Sequence, residues 1–187
     1  MAFLTELWLP ILLSAVFVFV ASTVIHMALP IHKKDCKQMA DEAAVLEAMR
    51  SSGVQPGNYT FPWAASMKQM GSPEMMAKVK SGPVGFLTVL PTGGWNIGRS
   101  LIWWFVFSLI VGFLVAYVGW HALEPGTGYL EVFRITGVTA IMGYAVGHFH
   151  ESIWKGVSWA TTGRFIFDGV VYGLLTAGTF GWLWPGG

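Results

Sequence analysis

Four long apolar runs divide this chain: Leu7–Leu29, Leu101–Leu123, Val132–Trp154 and Phe165–Trp184. Each reaches the ~20 mostly apolar residues that cross ~30 Å of hydrocarbon as a helix. Inside a bilayer no water serves the backbone, so such segments satisfy their amides as helices. The pattern predicts an all-α integral membrane fold with four transmembrane helices. It reads as a single polytopic domain over residues 1–187, with a long, partly helical inner connection over residues 31–99.

That connection is too polar to span and shows shorter elements. Met39–Arg50 is rich in helix formers, with Gly53 placed to stop it. Pro56-Gly57-Asn58 reads as a turn. Ser72-Pro73-Glu74 reads as a helix start, serine at the cap and proline in the first turn, with the helix running through Met75–Lys80 to Gly82-Pro83. Phe86–Leu90 is a short apolar run, either a strand or an interfacial segment, and Pro91–Gly94 turns the chain into the second span.

Charge sets the expected orientation. The stretch Lys33–Arg99 holds eight lysines and arginines, and Lys155 and Arg164 lie in the short connection between the last two runs. Residues 1–6, 124–130 and 185–187 hold none, and Arg134 lies just inside the third run. The positive-inside rule then places both termini outside, most simply in a bacterial inner membrane. Tryptophan supports the spans independently: Trp8, Trp120, Trp182 and Trp184 mark one set of ends, and Trp103, Trp104, Trp154 and Trp159 the other. The first run reads as a retained helix, since Glu6 is the one charge before it and a signal peptide would carry a basic leader.

Composition agrees. The chain is 54% hydrophobic and 11% charged, against about 25% charged in soluble domains. A net charge of +1 says nothing about nucleic acid, and no basic patch rich enough for it appears, so no nucleic-acid partner is expected. The lone Cys36 cannot form an internal disulfide. Met67, Met70, Met75 and Met76 read as packing residues rather than a soft-metal site. Asn58-Tyr59-Thr60 matches a glycosylation acceptor, but on the wrong side of the membrane.

Lipid supplies no hydrophobic force between spans, so close approach must hold them together. Gly143 and Gly147 on the third run and Gly169 and Gly173 on the fourth form two small-xxx-small faces, predicting a hairpin of these helices. Thr136, Thr139, Thr176 and Thr179 either bond between helices or bond their own backbone. The second run is apolar all round and suits lipid or a docking partner.

Ionisable residues at membrane depth are expensive and draw a functional hypothesis. His26, His148, His150, Glu151, Arg164 and Asp168 all fall near the inner ends of their runs. His148 and Glu151 share a helix face, as do Arg164 and Asp168, whereas His150 points roughly 200° away from His148 at ~100° per residue. The principal reading is a polar cluster locking the helix ends. Lys155 and Arg164 would attract anionic lipid headgroups in a second, and His26 with His148 on different helices would hold a haem, a metal or a proton in a third. No catalytic motif, phosphate cradle or metal-ligand spacing accompanies them, so no catalytic residue, dedicated metal site or cofactor is assigned. The expectation is a non-enzymatic accessory or structural subunit of a larger membrane complex. The alternatives are a haem- or metal-binding redox protein and, behind it, a small transporter.

Overall fold

The computed structural model describes residues 2–186 and is 70% helical. The chain divides into two compact units, residues 37–96 and the remainder.

In the larger unit, α1 (Ala2–Thr23) continues through a π-turn at Val24–Ala28, closed by Leu29 N–H donating to the Val24 carbonyl at 3.1 Å. Leu29 is extended, as a residue before proline prefers, and Pro30–His32 then form a short 3₁₀ turn. In the smaller unit, α2 (Glu42–Ser51) is capped by Asp41, whose carboxylate accepts from Ala44 N–H at 3.0 Å. Strand β1 (Gly57–Phe61) pairs antiparallel with β2 (Gly85–Val89), Tyr59 opposite Leu87. Between them lie α3 (Met67–Met70) and α4 (Pro73–Ser81), the latter capped by Ser72. This hairpin departs from the all-α expectation: Gly57 and Asn58, expected in a turn, open a strand because Phe86–Val89 provides a partner edge.

The larger unit resumes with α5 (Ile97–Ala122) and α6 (Tyr129–Tyr144). A break at Ala145 leads to a 3₁₀ turn at Val146–His148 and then α7 (Phe149–Lys155). Gly156, at φ 69°, supplies the left-handed residue that ends α7. Ser158 then caps α8 (Trp159–Trp182) by accepting from Thr161 N–H at 3.1 Å.

Four segments are long and apolar enough to cross a membrane: Phe3–Ala28, Ile97–Ala122, Tyr129–Lys155 and Trp159–Trp182. They make this a multi-pass membrane protein. The spans pack as a ring in which α6 meets α8 most extensively, α8 meets α1, α1 meets α5, and α5 meets α6. Phe3 packs on Phe113 and Tyr117, and Trp184 Nε1 donates to the Glu124 carbonyl at 3.0 Å. Phe3 and Trp184 therefore both lie at the end of the bundle that carries the α5–α6 turn.

Glycine permits the α6–α8 contact, though not with all the glycines expected. A methyl on Gly169 would lie 2.8 Å from Ala145 Cα, and one on Gly173 would lie 2.4 Å from Ile141 Cγ1. Gly143 instead faces Val111 on α5, and Gly147 has open space beside it. Gly143, still within α6, sits on the face turned to α5, and Gly147 lies in the 3₁₀ turn that follows the break at Ala145. Gly137, against Ala177, takes the place in the seam that they were expected to fill. The four threonines bond their own helices: Thr136 to Val132, Thr139 to Ile135, Thr176 to Tyr172 and Thr179 to Leu175. Side-chain bonds between spans come from elsewhere, as Trp104 Nε1 donating to Ser22 Oγ at 2.9 Å shows.

Candidate metal centre

The inner end of α1 builds the site through two departures from the α-helix. The π-turn carries His26, and π-turns inside helices recur at functional sites. The extended Leu29 then lets the chain reverse through Pro30, so that His32 comes back over His26. The two imidazoles stack with centroids 4.3 Å apart and planes 6° from parallel. Phe165 on α8 packs beside both rings.

Asp168, one turn further along α8, completes the group. Its Oδ2 lies 2.9 Å from His32 Nε2 and 3.7 Å from His26 Nε2. Asp168 is 2% exposed, so its carboxylate is almost fully withdrawn from water. One ligand atom from each of His26, His32 and Asp168 lies within 4.8 Å of the others, and the three could hold a metal ion.

The outer hydrogen bonds settle which ring nitrogens face inward. His26 Nδ1 lies 3.1 Å from the Ser22 carbonyl, which can only accept, so Nδ1 carries the proton. His32 Nδ1 donates to Asp35 Oδ2 at 2.6 Å. Burial on its own would raise the Asp35 carboxyl. Hydrogen bonds from His32 and Arg164 outweigh that, and its pKa falls below 3.8. Arg164 Nε donates to Asp35 Oδ1 at 2.7 Å, and its Nη2 also contacts that oxygen. Asp35 is thus an ionised acceptor, and Arg164 fixes it in place.

With Nδ1 of each ring directed to an outer acceptor, His26 and His32 both turn Nε2 toward the buried Asp168 carboxylate. His32 Nε2 and Asp168 Oδ2 are at contact distance but not aligned for a hydrogen bond. Neither His32 Nε2 nor either Asp168 oxygen has a hydrogen-bond partner among the described residues. A buried carboxylate without a hydrogen-bond partner calls for a positive charge beside it. A metal ion or added protons on the rings would supply it. Metal-bound histidines characteristically donate their other ring N–H to a carboxylate or a backbone carbonyl, and both rings do so here.

The remaining expected site residues lie elsewhere. Arg164 pairs with Asp35 rather than with Asp168 one turn along its own helix. Glu151 accepts from Lys155 at 3.0 Å, so both cations expected to attract anionic headgroups are paired within the protein. His148 stacks on Phe165 with centroids 5.2 Å apart, outside the triangle, and His150 is exposed. His32 and Asp35 are site residues that helix-by-helix reading passed over. The signal for them is a histidine on each side of a Leu-Pro break.

The triangle borders a cavity of about 670 Å³ among the four spans. His26 and Asp168 line it, along with His148 and Glu151, and its apolar wall includes Trp104, Phe107, Tyr144 and Tyr172. Irregular backbone at membrane depth is tolerated where it borders such a cavity, and both the π-turn of α1 and the break before α7 do. Comparison with protein-family models, curated proteins and solved structures finds no match to this chain.

Proposed function

We propose that this is a membrane metal-binding protein holding one divalent transition-metal ion between His26 Nε2, His32 Nε2 and Asp168. The observation that carries the reading is the convergence of three ligand atoms, on the buried Asp168, the partly buried His32 and the exposed His26, with outer hydrogen bonds that turn Nε2 of both rings toward the group. Two imidazoles and one carboxylate suit zinc or ferrous iron, and three protein ligands leave coordination positions open for water or substrate. Two of the three ligands line the cavity, which gives those positions access to it. A haem fits less well. The rings stack side by side with both Nε2 atoms toward one carboxylate, whereas axial ligands must sit on opposite faces of a porphyrin. The charge bias favours insertion with both termini outside and residues 31–99 on the cytoplasmic side.

Equilibrium dialysis of purified protein against micromolar Zn²⁺ tests this reading. One ion per chain is expected, falling to none in His32→Ala and Asp168→Asn while His150→Ala retains it. Equal zinc uptake by all four proteins would remove the proposal.

A second reading, membership of a larger membrane complex, is favoured by a different observation. Across residues 37–96 Met75 is the one buried residue, while Trp63, Met67, Phe86 and Trp95 are each more than half exposed. Exposed apolar side chains at that density call for cover by a partner or by the bilayer surface. Crosslinking in native membranes distinguishes these: adducts to other chains from residues 57–95 support the complex, and labelling by lipid probes alone opposes it.

A further inference from the structure

The cavity beside the triangle has a shape and chemistry of its own. Its α5 wall runs from Ile97 to Phe107, about 15 Å of helix at ~1.5 Å per residue. That is half the thickness of a ~30 Å hydrocarbon layer, so an occupant that fills it along α5 is long enough to carry an apolar tail. Leu101, Phe107, Gly143 and Gly147 line it and are exposed, so it is open rather than sealed. Its volume of about 670 Å³ falls within the ~300–1,000 Å³ usual for small-molecule sites.

The polar groups restrict the head of that occupant. The formal charges among the lining residues are the carboxylates Asp168 and Glu151, and no lysine or arginine lines the cavity. A phosphate head would meet two carboxylates on the wall itself, and Lys155 is already paired with one of them, Glu151. The Tyr172 hydroxyl is buried without a hydrogen-bond partner among the described residues, on a side chain 3% exposed. An uncharged oxygen acceptor would satisfy it. Trp104, Phe107, Tyr144 and Tyr172 form a run of edge-to-face and tilted ring contacts, with centroids 5.6–6.3 Å apart. Such a wall suits a flat aromatic or quinonoid head.

We infer that the cavity binds a membrane quinone or quinol, its ring against the Trp104–Tyr172 wall, one ring oxygen accepting from Tyr172, and its prenyl tail leaving toward lipid. This goes beyond the metal reading and does not rest on it, since neither Tyr172 nor Gly147 belongs to the triangle. Gly147 provides the decisive variant: it lines the cavity, and a side chain added there meets nothing within 4 Å, so a leucine can narrow the cavity without a backbone clash.

The test is photolabelling of the full chain in phosphatidylcholine nanodiscs with an azido-ubiquinone analogue. Label is expected on peptides 100–107 and 165–172, suppressed by excess decylubiquinone and not by excess phosphatidylglycerol. Gly147→Leu should reduce specific label at least tenfold. Tyr172→Phe, which keeps the ring and loses one hydrogen bond, should weaken competition by about three- to tenfold. Undiminished label in a folded Gly147→Leu protein, or equal suppression by phosphatidylglycerol, would mean a general lipid groove and overturn the assignment. Should Gly147→Leu not fold, an unchanged Tyr172→Phe competition curve would overturn it. Zinc binding measured on the same variants should stay at the wild-type level, which separates this outcome from failure of the metal reading.

Discussion

Replacing Gly169 with alanine would press a methyl group into the backbone of the neighbouring span. The new Cβ would stand 2.8 Å from Ala145 Cα, from Ala145 Cβ and from the Tyr144 carbonyl carbon. None of these is the free end of a flexible side chain, so none can swing aside. Relief requires α8 to move from α6 by at least about 0.6 Å, and overpacking of this kind costs typically ~1–3 kcal/mol. Gly147→Ala is the matched control, because its methyl would meet nothing within 4 Å. The assay is thermal unfolding in a mild detergent, followed by loss of near-ultraviolet dichroism. Gly169→Ala should melt several degrees below wild type, with Gly147→Ala within a degree or two of it. Gly169 adjoins Asp168, so the same movement should loosen the triangle and lower zinc affinity. Equal melting temperatures for the two variants would refute the close-approach argument for this seam.

Other expectations follow from the hydrogen bonds. Asp35→Asn should weaken zinc binding by about 10–100-fold, because it removes the acceptor that orients His32; isothermal titration measures this. Asp35 also makes a pH prediction. Its carboxyl is held below 3.8, so its contribution to stability is fully present above that value and is lost as pH falls through the lower folded-state pKa. Melting temperature should therefore drop on acidification below about pH 4, and the drop should be shallower in Asp35→Asn. Trp104→Phe removes the bond to Ser22 Oγ between the first two spans and should cost about 1 kcal/mol in unfolding free energy, packing held equal.

Much of the fold was legible because hydrocarbon imposes simple demands. The four apolar runs overlap the four spans, and Ser72-Pro73 starts α4 as the capping pattern implied. The site was legible only in part. His26 and Asp168 stand out as ionisable groups at membrane depth, and the structure brings them together. His32 and Asp35 lie beyond the span, where a polar residue raises no question. They reach the site only because the π-turn and the extended Leu29 fold the chain back. Arg164 shows the same limit in another form. Spacing on one helix offers Asp168 as its partner, whereas its carboxylate partner, Asp35, comes from a segment 129 residues away. The small-residue spacing also misplaced Gly143 and Gly147: spacing alone does not say which neighbour a helix face meets, and Gly143 meets Val111 on α5, while Gly147 lies past the break at Ala145.

X-ray absorption at the zinc edge of the loaded protein tests the metal centre most directly. The account predicts a shell of nitrogen and oxygen neighbours at about 2.0–2.1 Å with the multiple-scattering signature of two imidazoles, reduced to one imidazole in His32→Ala. An oxygen-only shell, a sulfur neighbour from Cys36 or a methionine, or a spectrum unchanged by His32→Ala would contradict it.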